Sequence, residues 1–275
     1  RSPVQTKDFT FDLNINLSRN VSKVKELADG VDYLFFNGDA NFPINVGTRV
    51  GHRLGEIYAK NLYKRDENGN MIVNKQGRPT KVSGEDAFQY TLDHPIGNIE
   101  PDLLMSVSPS FTYKGFTLSA LFDMKFGGDI VSVSEAMATS TGLAARTANR
   151  GNAENGWKIV APGVTADGTV NSTAMNAQRY YTSMSGMAEE FVYDASFIKL
   201  KELSLGYSFP KSILKKTPLT SLNVAFVARN LAYLMKHTPG TSPEGGYDTS
   251  MFSQAIDYMS VPYTRTFGLS INLGF

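Results

Sequence analysis

The chain of 275 residues has no cysteine, one tryptophan and three histidines, and its 27 basic residues nearly balance its 26 acidic ones. The absence of cysteine excludes disulfides, thiolate zinc sites and cysteine nucleophiles, although it does not fix the compartment. The near-neutral charge gives no support for nucleic-acid binding, which normally leaves a basic excess. No run approaches 18 consecutive apolar residues, so the sequence predicts no helical membrane span.

A signal-peptide pattern is also missing after Arg1. We therefore expect either a cytoplasmic protein or a mature or internal piece of a longer one. Apolar and aromatic residues, in contrast, are plentiful: 41% of the chain is hydrophobic, with 17 Phe and 13 Tyr. This content is sufficient for a folded core, and the aromatic residues favour strands over helices.

Alternation with a period of two residues is the clearest pattern in the chain. In 9–17 the odd positions are all Phe, Leu or Ile, and the even positions are Thr, Asp or Asn. The same alternation predicts further strands at 103–113, 116–126, 196–209, 222–230 and 263–275, with a weaker one in 45–58. Lys114-Gly115 predicts a two-residue hairpin turn. A slip of parity within 196–209 predicts a β-bulge near Lys201-Glu202.

The predicted strands are long, and the connections between them are alternately short and long. The sequence predicts about seven strands of 9–14 residues. Strands in globular proteins are typically roughly 5–6 residues long, whereas a tilted membrane strand needs roughly 9–11. Outer-membrane barrels have short turns on the periplasmic side and long loops outside. This pattern predicts a periplasmic C-terminus. Arg265, on the apolar parity of the last strand, is expected to reach the headgroup region.

Soluble sandwiches also contain alternating strands, with the apolar face as their core. The strand lengths, the asymmetric loops and the terminal Phe275 favour a membrane barrel instead. A terminal aromatic on such a strand is the usual signal for the outer-membrane insertion machinery. The soluble alternative predicts a buried core that contains Phe9, Phe11, Phe122 and Phe267.

Blocks of sequence from about residue 9 onward match a known family. They are Phe11–Val24, Gly97–Asp102, Phe111–Ser119, Asp123–Ile130, Tyr193–Pro210, Ala228–Ala232, Lys236–Gly240, Pro243–Glu244 and Val261–Phe275. These blocks resemble the SusC/RagA family of TonB-dependent outer-membrane transporters. The loop 139–192 matches no particular member closely, which leaves the ligand open.

The resemblance implies an all-β transmembrane antiparallel barrel with long extracellular loops, of which residues 1–275 form the C-terminal part. The resemblance implies a barrel of 22 strands that encloses a plug. Seven strands cannot close such a barrel, so the plug and the N-terminal strands lie outside this sequence. The resemblance further implies a SusD-like lipoprotein lid, contact with the TonB complex through the missing plug region, and surrounding outer-membrane lipid.

The function implied is import of a bulky nutrient across a bacterial outer membrane, with a glycan oligosaccharide as the first choice of ligand and a peptide as the second. A passive pore or surface scaffold and a soluble all-β binding or adhesin module remain alternatives. No catalytic constellation, P-loop or nucleophile elbow stands out, so we expect no enzyme, no cofactor and no metal. His237 is expected to be structural.

Local motifs add a few further expectations. Asp66–Asn70 resembles a calcium loop only faintly, because its glycine is misplaced, and a turn at Asn68-Gly69 is the better interpretation. Segment 131–148 is either a short helix or an irregular loop.

Aromatic residues in the predicted loops are the candidate ligand-binding residues, because sugar rings stack on aromatic faces while polar neighbours bind the hydroxyls. Alternatively, these rings pack the loops together or lie in an interface girdle. The candidates are Trp157, Tyr180, Tyr181, Tyr247 and Tyr258.

Overall fold

A computed structural model describes residues 4–39, 44–246 and 255–275 of the chain. Its strands, in order, are β1 (Val4–Gln5), β2 (Phe9–Ser18), β3 (Tyr33–Asp39), β4 (Ile44–Arg49), β5 (Glu56–Ala59), β6 (Asn61–Tyr63), β7 (Lys81–Ser83), β8 (Gly97–Asn98), β9 (Leu103–Tyr113), β10 (Phe116–Phe126), β11 (Asp129–Ser132), β12 (Lys158–Val160), β13 (Ala174–Asn176), β14 (Val192–Asp194), β15 (Phe197–Ser208), β16 (Ser221–Lys236), β17 (Ile256–Asp257) and β18 (Thr266–Gly274). The helices are α1 (Glu85–Asp93), α2 (Val133–Thr141), α3 (Ala177–Met184) and α4 (Lys211–Leu214), with 3-10 turns at Ala145–Ala148 and Ala188–Phe191.

Seven of these strands form one antiparallel sheet, which we call the wall, in the order β1-β2-β9-β10-β15-β16-β18. Apart from β1, the wall strands contain between 9 residues (β18) and 16 residues (β16). Such lengths suit a tilted membrane strand. The wall confirms the predicted all-β antiparallel class and five of the predicted long strands, and the sixth, 263–275, begins later than expected, at Thr266.

The two faces of the wall differ in polarity because the alternation of each strand is in register with that of its neighbours. One row across the sheet joins Phe11, Phe111, Leu118, Leu205, Phe226 and Leu269. A row on the other face joins Asp12, Ser110, Ser119 and Ser204. We call these the apolar face and the polar face.

Within the described part of the chain, no second sheet covers the apolar face. Phe267 and Leu269 are 65% and 66% exposed, and Phe9, Phe11 and Phe122 are half-buried. The soluble alternative required these side chains to lie in a core, and for Phe267 it is wrong. Among the described residues, no helix is both long and apolar enough to cross a membrane.

The connections between wall strands confirm the predicted asymmetry. Three long connections, 19–102, 127–196 and 237–265, leave the wall at one end. The connections at the other end are short: 6–8, 114–115 and 209–220, the last containing α4. In the shortest, Lys114 and Gly115 have φ values of 46° and 88°, as a two-residue turn with two left-handed residues requires.

The prediction of a wall strand in 45–58 is wrong. This stretch forms two short strands, β4 and β5, which pair with each other inside the first long connection. Gly51 and Gly55, with φ values of 86° and 77°, reverse the chain between them. Strand β2 therefore pairs directly with β9, and β1 completes the seven strands.

Several local predictions are confirmed. Lys201 has no partner on β10, because Glu202 pairs with Leu121 and Leu200 pairs with Phe122. A turn at Asn68–Gly69 is closed by the Asp66 carboxylate, which accepts hydrogen bonds from the Asn68 and Asn70 amides at 2.9 and 2.8 Å. Segment 131–148 contains a helix, α2, which ends at Gly142 with φ 78°.

The three long connections fold together into one body, which we call the loop layer. Strand β11, from the second connection, pairs with β17 from the third, and Ile72 of the first bridges to Val164 of the second. Their apolar side chains share one buried core that includes Ile57, Phe191 and Ile256. The loop layer thus has a hydrophobic core of its own above the wall.

Candidate functional site: the polar face and the loop layer

The polar face of the wall is lined mainly by small hydroxyl and amide side chains. Two parallel rows contain Thr10, Thr112 and Thr117, and Asn16, Ser106 and Asp123. Some bond across the strands: the Asn16 amide donates to Ser106 Oγ at 3.2 Å, and the Thr112 and Thr117 hydroxyls lie 3.2 Å apart. This surface suits contact with water, a polar domain or a polar ligand.

Charged residues on the polar face are concentrated at the bulge in β15. Lys201 Nζ lies 2.6 Å from Asp123 Oδ2, and Arg229 Nε lies 2.8 Å from Glu202 Oε2. Each pair joins neighbouring strands, so these four charges neutralise one another within the wall. Partly exposed pairs contribute little to stability, and their main effect here is to leave the wall without a strong local field.

Lys199 connects the wall to the third long connection. Its side chain is buried, with only 3% of the residue exposed, and Nζ lies 2.5 Å from Glu244 Oε2. The Tyr233 hydroxyl also donates to the Glu244 carboxylate. Because a buried charge requires a partner, this pair holds the chain around Glu244 against β15 and β16. This contact could not be predicted from the sequence, since its partners lie 45 residues apart.

Arg146 plays a similar part within the loop layer. Its guanidinium donates to the Tyr193 hydroxyl at 2.5 Å and to Glu190 Oε2 at 3.2 Å, and it lies 5.0 Å from the centroid of the Phe191 ring. Burial raises the pKa of Tyr193 to about 12, so this hydroxyl stays neutral. Burial also raises the pKa of Glu135 despite the opposing charge of Arg146.

The predicted aromatic residues occupy two kinds of place. Tyr180 and Tyr181 are each only 7% exposed and belong to the core of the loop layer, where the Tyr181 hydroxyl donates to the carbonyls of Arg146 and Asn149 at 2.9 and 2.7 Å. Tyr258 is half-buried and packs against the same core. These three positions fit the packing alternative, although their role in binding stays a prediction.

Trp157 is the exposed member of the set. It is 51% exposed and has a positive φ of 56°. Its backbone amide donates to the Asn152 carbonyl at 2.8 Å, and the Asn155 side chain accepts from the amides of Asn152 and Lys158. The remaining candidate, Tyr247, lies outside the described residues.

Two of the three histidines, His52 and His237, contact carboxylates. His237 Nδ1 lies 2.5 Å from Asp194 Oδ2, which lies at the junction of the loop layer with β15, as a structural role predicts. His52 Nδ1 lies 3.0 Å from Glu56 Oε1, a contact that sequence spacing did not reveal. In residues 4–39, 44–246 and 255–275, no group of three or more His, Asp or Glu side chains is arranged to hold a metal ion.

The last strand begins later than its sequence alternation suggests. Strand β18 starts at Thr266, opposite Arg229, while β16 continues to Lys236. The preceding residues 261–265 are irregular, and the Asn230 side-chain amide donates to the Thr264 carbonyl at 3.2 Å. Arg265 therefore precedes the strand instead of lying within it, and it lines a cleft together with Lys199 and Tyr263.

Comparisons with known proteins agree with this architecture. No family model matches the chain. It is 27% identical to "TonB-dependent receptor P3" of Formosa agariphila and 26% identical to "TonB-dependent receptor SusC" of Bacteroides thetaiotaomicron; each match covers 99% of this chain, and 27% and 25% of those proteins, respectively. A solved structure described as the RagAB peptide importer in the "open-open" state matches with a TM-score of 0.63 and 19% identity, over 100% of this chain and 27% of that one.

The chain thus spans about a quarter of the length of the relatives that it matches. Their names describe receptors and importers, not enzymes. The strand arrangement is that of the RagA-type barrel. Over the part of these proteins that it covers, the chain is SusC/RagA-like and is similar to TonB-dependent receptors.

Proposed function

We propose that this chain forms part of the wall and the outer loops of a TonB-dependent importer in a bacterial outer membrane. One observation carries the proposal: a sheet of long strands exposes an apolar face on one side and a polar face on the other, with all three long connections at one end. An exposed apolar face of this size is suited to lipid. The polar face would line the lumen.

The two ends of the wall support the orientation that we propose. Outer-membrane barrels have their short turns in the periplasm. The end of β18 lies at the short-turn end, where the Thr220 amide donates to the Gly274 carbonyl at 2.8 Å. We therefore place Phe275 in the periplasm and the loop layer outside the cell.

In this proposal residues 1–275 are the C-terminal part of a longer barrel, and the plug and the preceding strands belong to the rest of the protein. A SusD-like lipoprotein would close over the loop layer. The TonB complex would pull on the plug to open a path. The wall and loops described here would guide the ligand and would not transduce energy by themselves.

A glycan oligosaccharide is the ligand that we favour. Trp157 supports it, because an exposed indole ring in an asparagine-rich turn can stack on a sugar while the amides bind its hydroxyls. A peptide is the second candidate, favoured by the fold match to a structure described as a peptide importer.

A mild-detergent pull-down from the native outer membrane, analysed by mass spectrometry, tests the proposal. Recovery of peptides from a plug-bearing N-terminal region together with a lid-type lipoprotein is the expected result. A barrel without a plug region would indicate a passive pore or scaffold. Recovery of the 275-residue chain alone in the aqueous fraction would overturn the membrane assignment.

A further inference from the structure

A cleft of about 200 Å³ opens where β16 extends beyond the start of β18. One side is formed by residues of β16, including Asn230 and Tyr233. The other side is formed by Thr241 and Ser242 and by the segment that leads into β18, which includes Tyr263. The cleft therefore lies at the junction of the polar face with the loop layer.

The cleft is strongly biased toward positive charge. Among the described residues, its lining contains three basic side chains, Lys199, Lys236 and Arg265, and no carboxylate. The ammonium groups of Lys199 and Lys236 lie 5.1 and 5.8 Å from the centroid of the same Tyr233 ring. Two of the three cations thus contact the same aromatic side chain.

Among the residues that the structure describes, a carboxylate neutralises only one of the three cations. Lys199 pairs with Glu244, as described above. Lys236 and Arg265 form no ion pair within the described part of the chain, and the one hydrogen bond that Lys236 donates goes to the Thr241 carbonyl at 3.1 Å. Both side chains are exposed to solvent. This pair contrasts with the bulge, where every charge has its counterpart.

Aromatic rings flank the charges. Tyr263 is 56% exposed, and its ring lies over the Lys199 ammonium at 4.7 Å. The hydroxyl of Ser242 and the amide of Asn230 supply neutral hydrogen-bonding groups. Basic groups with an aromatic face and neutral polar groups together match a sugar ring that carries an acidic substituent.

We propose that this cleft binds the anionic group, a carboxylate or a sulfate, of an acidic oligosaccharide. Lys236 and Arg265 would contact the anion, and Tyr263 would contact the sugar ring. Lys199 is a positioning residue, since its bond to Glu244 fixes the cleft. The inference rests on the proposed import function and narrows its ligand from bulky nutrients in general to acidic glycans.

The test uses the transporter complex isolated from its outer membrane in mild detergent. The probes are tetragalacturonate and a chondroitin sulfate tetrasaccharide, with methyl-esterified tetragalacturonate and maltotetraose as uncharged counterparts. Binding is measured by isothermal titration for the wild type and for the Lys236→Gln/Arg265→Gln double variant. At least one acidic probe should bind more tightly than its uncharged counterpart, and the double variant should weaken that binding about tenfold or more.

A matched control removes two exposed lysines at the other end of the wall, Lys211→Gln/Lys215→Gln, and should leave binding unchanged. Arg265→Lys retains the charge and should retain most of the affinity. Membrane levels and heat-modifiable migration of each variant confirm assembly. Failure of every acidic probe to bind, or an equal loss in both double variants, would overturn the inference.

Two further outcomes separate this inference from the proposed function. If an acidic tetrapeptide binds through Lys236 and Arg265 and no tetrasaccharide binds, the ligand of the cleft is an acidic peptide and the inference of an acidic glycan is overturned. Co-purification with a plug region and a lid lipoprotein, combined with binding of neutral ligands alone, would overturn the acidic cleft and leave the importer intact. Absence of the complex from the membrane would overturn both.

Discussion

Lys201 forms an ion pair with Asp123, Nζ to Oδ2 2.6 Å, although Lys201 is the residue of β15 that has no partner on β10. The bulge allows Lys201 and Glu202 to project together from the polar face. Leu200 and Leu203 on either side of them then both lie on the apolar face, in rows with Phe122 and Ala120. One extra residue thus restores the polarity of the strand.

Deletion of Lys201 should therefore be far more damaging than removal of its charge. Without the bulge, the residues from Phe197 to Leu200 change faces, which places Lys199 on the apolar face and Leu200 on the polar one. We expect loss of the folded protein from the outer membrane, measured by heat-modifiable migration in gels. Lys201→Ala keeps the bulge and removes one partly exposed pair, so it should cost about 1 kcal/mol or less.

A charge introduced on the apolar face tests whether the wall lies in a membrane or is a soluble sheet. Leu269→Arg introduces a cation in the middle of β18, which should cost about 2–4 kcal/mol if lipid surrounds it. The neighbouring Ser270→Arg projects from the polar face and should be tolerated. Quantitative comparison of the two variants in outer-membrane fractions is the measurement. Equal levels of both would contradict the assignment of the faces.

Truncation of Phe191 should destabilise the loop layer. Phe191 is fully buried, and Phe191→Ala should cost about 3–5 kcal/mol through lost burial and the cavity left behind. Limited proteolysis should then cleave the long connections while the wall keeps its heat-modifiable migration. Val170→Ala, at a position 76% exposed, is the control and should not change the cleavage rate.

Glu135 should make the stability of the loop layer depend on pH. Burial raises its pKa above the ordinary 4.5, so the folded layer holds this proton more tightly than the unfolded chain. Stability should therefore rise as the pH falls from the raised pKa toward 4.5. Glu135→Gln should flatten this dependence. The measurement is the temperature at which the loop layer becomes sensitive to protease, determined at a series of pH values. The exposed Glu154→Gln should leave the dependence as in the wild type.

Trp157 gives a direct test of the glycan proposal. Trp157→Ala should lower the affinity for a bound oligosaccharide by roughly 1–2 kcal/mol, as removal of an aromatic contact residue commonly does. The stability of the loop layer should not change, because the ring is half in solvent. Tyr90→Ala removes another exposed ring, 58% exposed and on α1, and serves as the control. Equal affinities for wild type and Trp157→Ala would remove this residue from the ligand site.

The wall could be predicted from the sequence because each strand shows its polarity locally. The alternation in 9–17 and the two-residue turn at Lys114-Gly115 require no knowledge of distant partners. The bulge was visible for the same reason, since a slip of parity lies within a single strand. These features identify the architecture and the family resemblance from the sequence alone.

The loop layer could not be predicted in this way, because its elements are defined by partners far away in the chain. The stretch 45–58 alternates like a wall strand, yet it folds back at two glycines into a separate sheet. Tyr180 and Tyr181 resemble exposed loop aromatics in sequence, yet contacts with the other connections bury them. The cleft around Lys199 depends equally on residues from three separate segments.

The common core of the three long connections bears on how new specificities arise in such a protein. Ile57, Phe191 and Ile256 come from different connections and are buried against one cluster. An exchange of one connection with a relative would leave the other two facing a mismatched interior. Recombination and engineering should therefore transfer the three as a set, and point substitutions at exposed positions are the way to change a ligand one contact at a time.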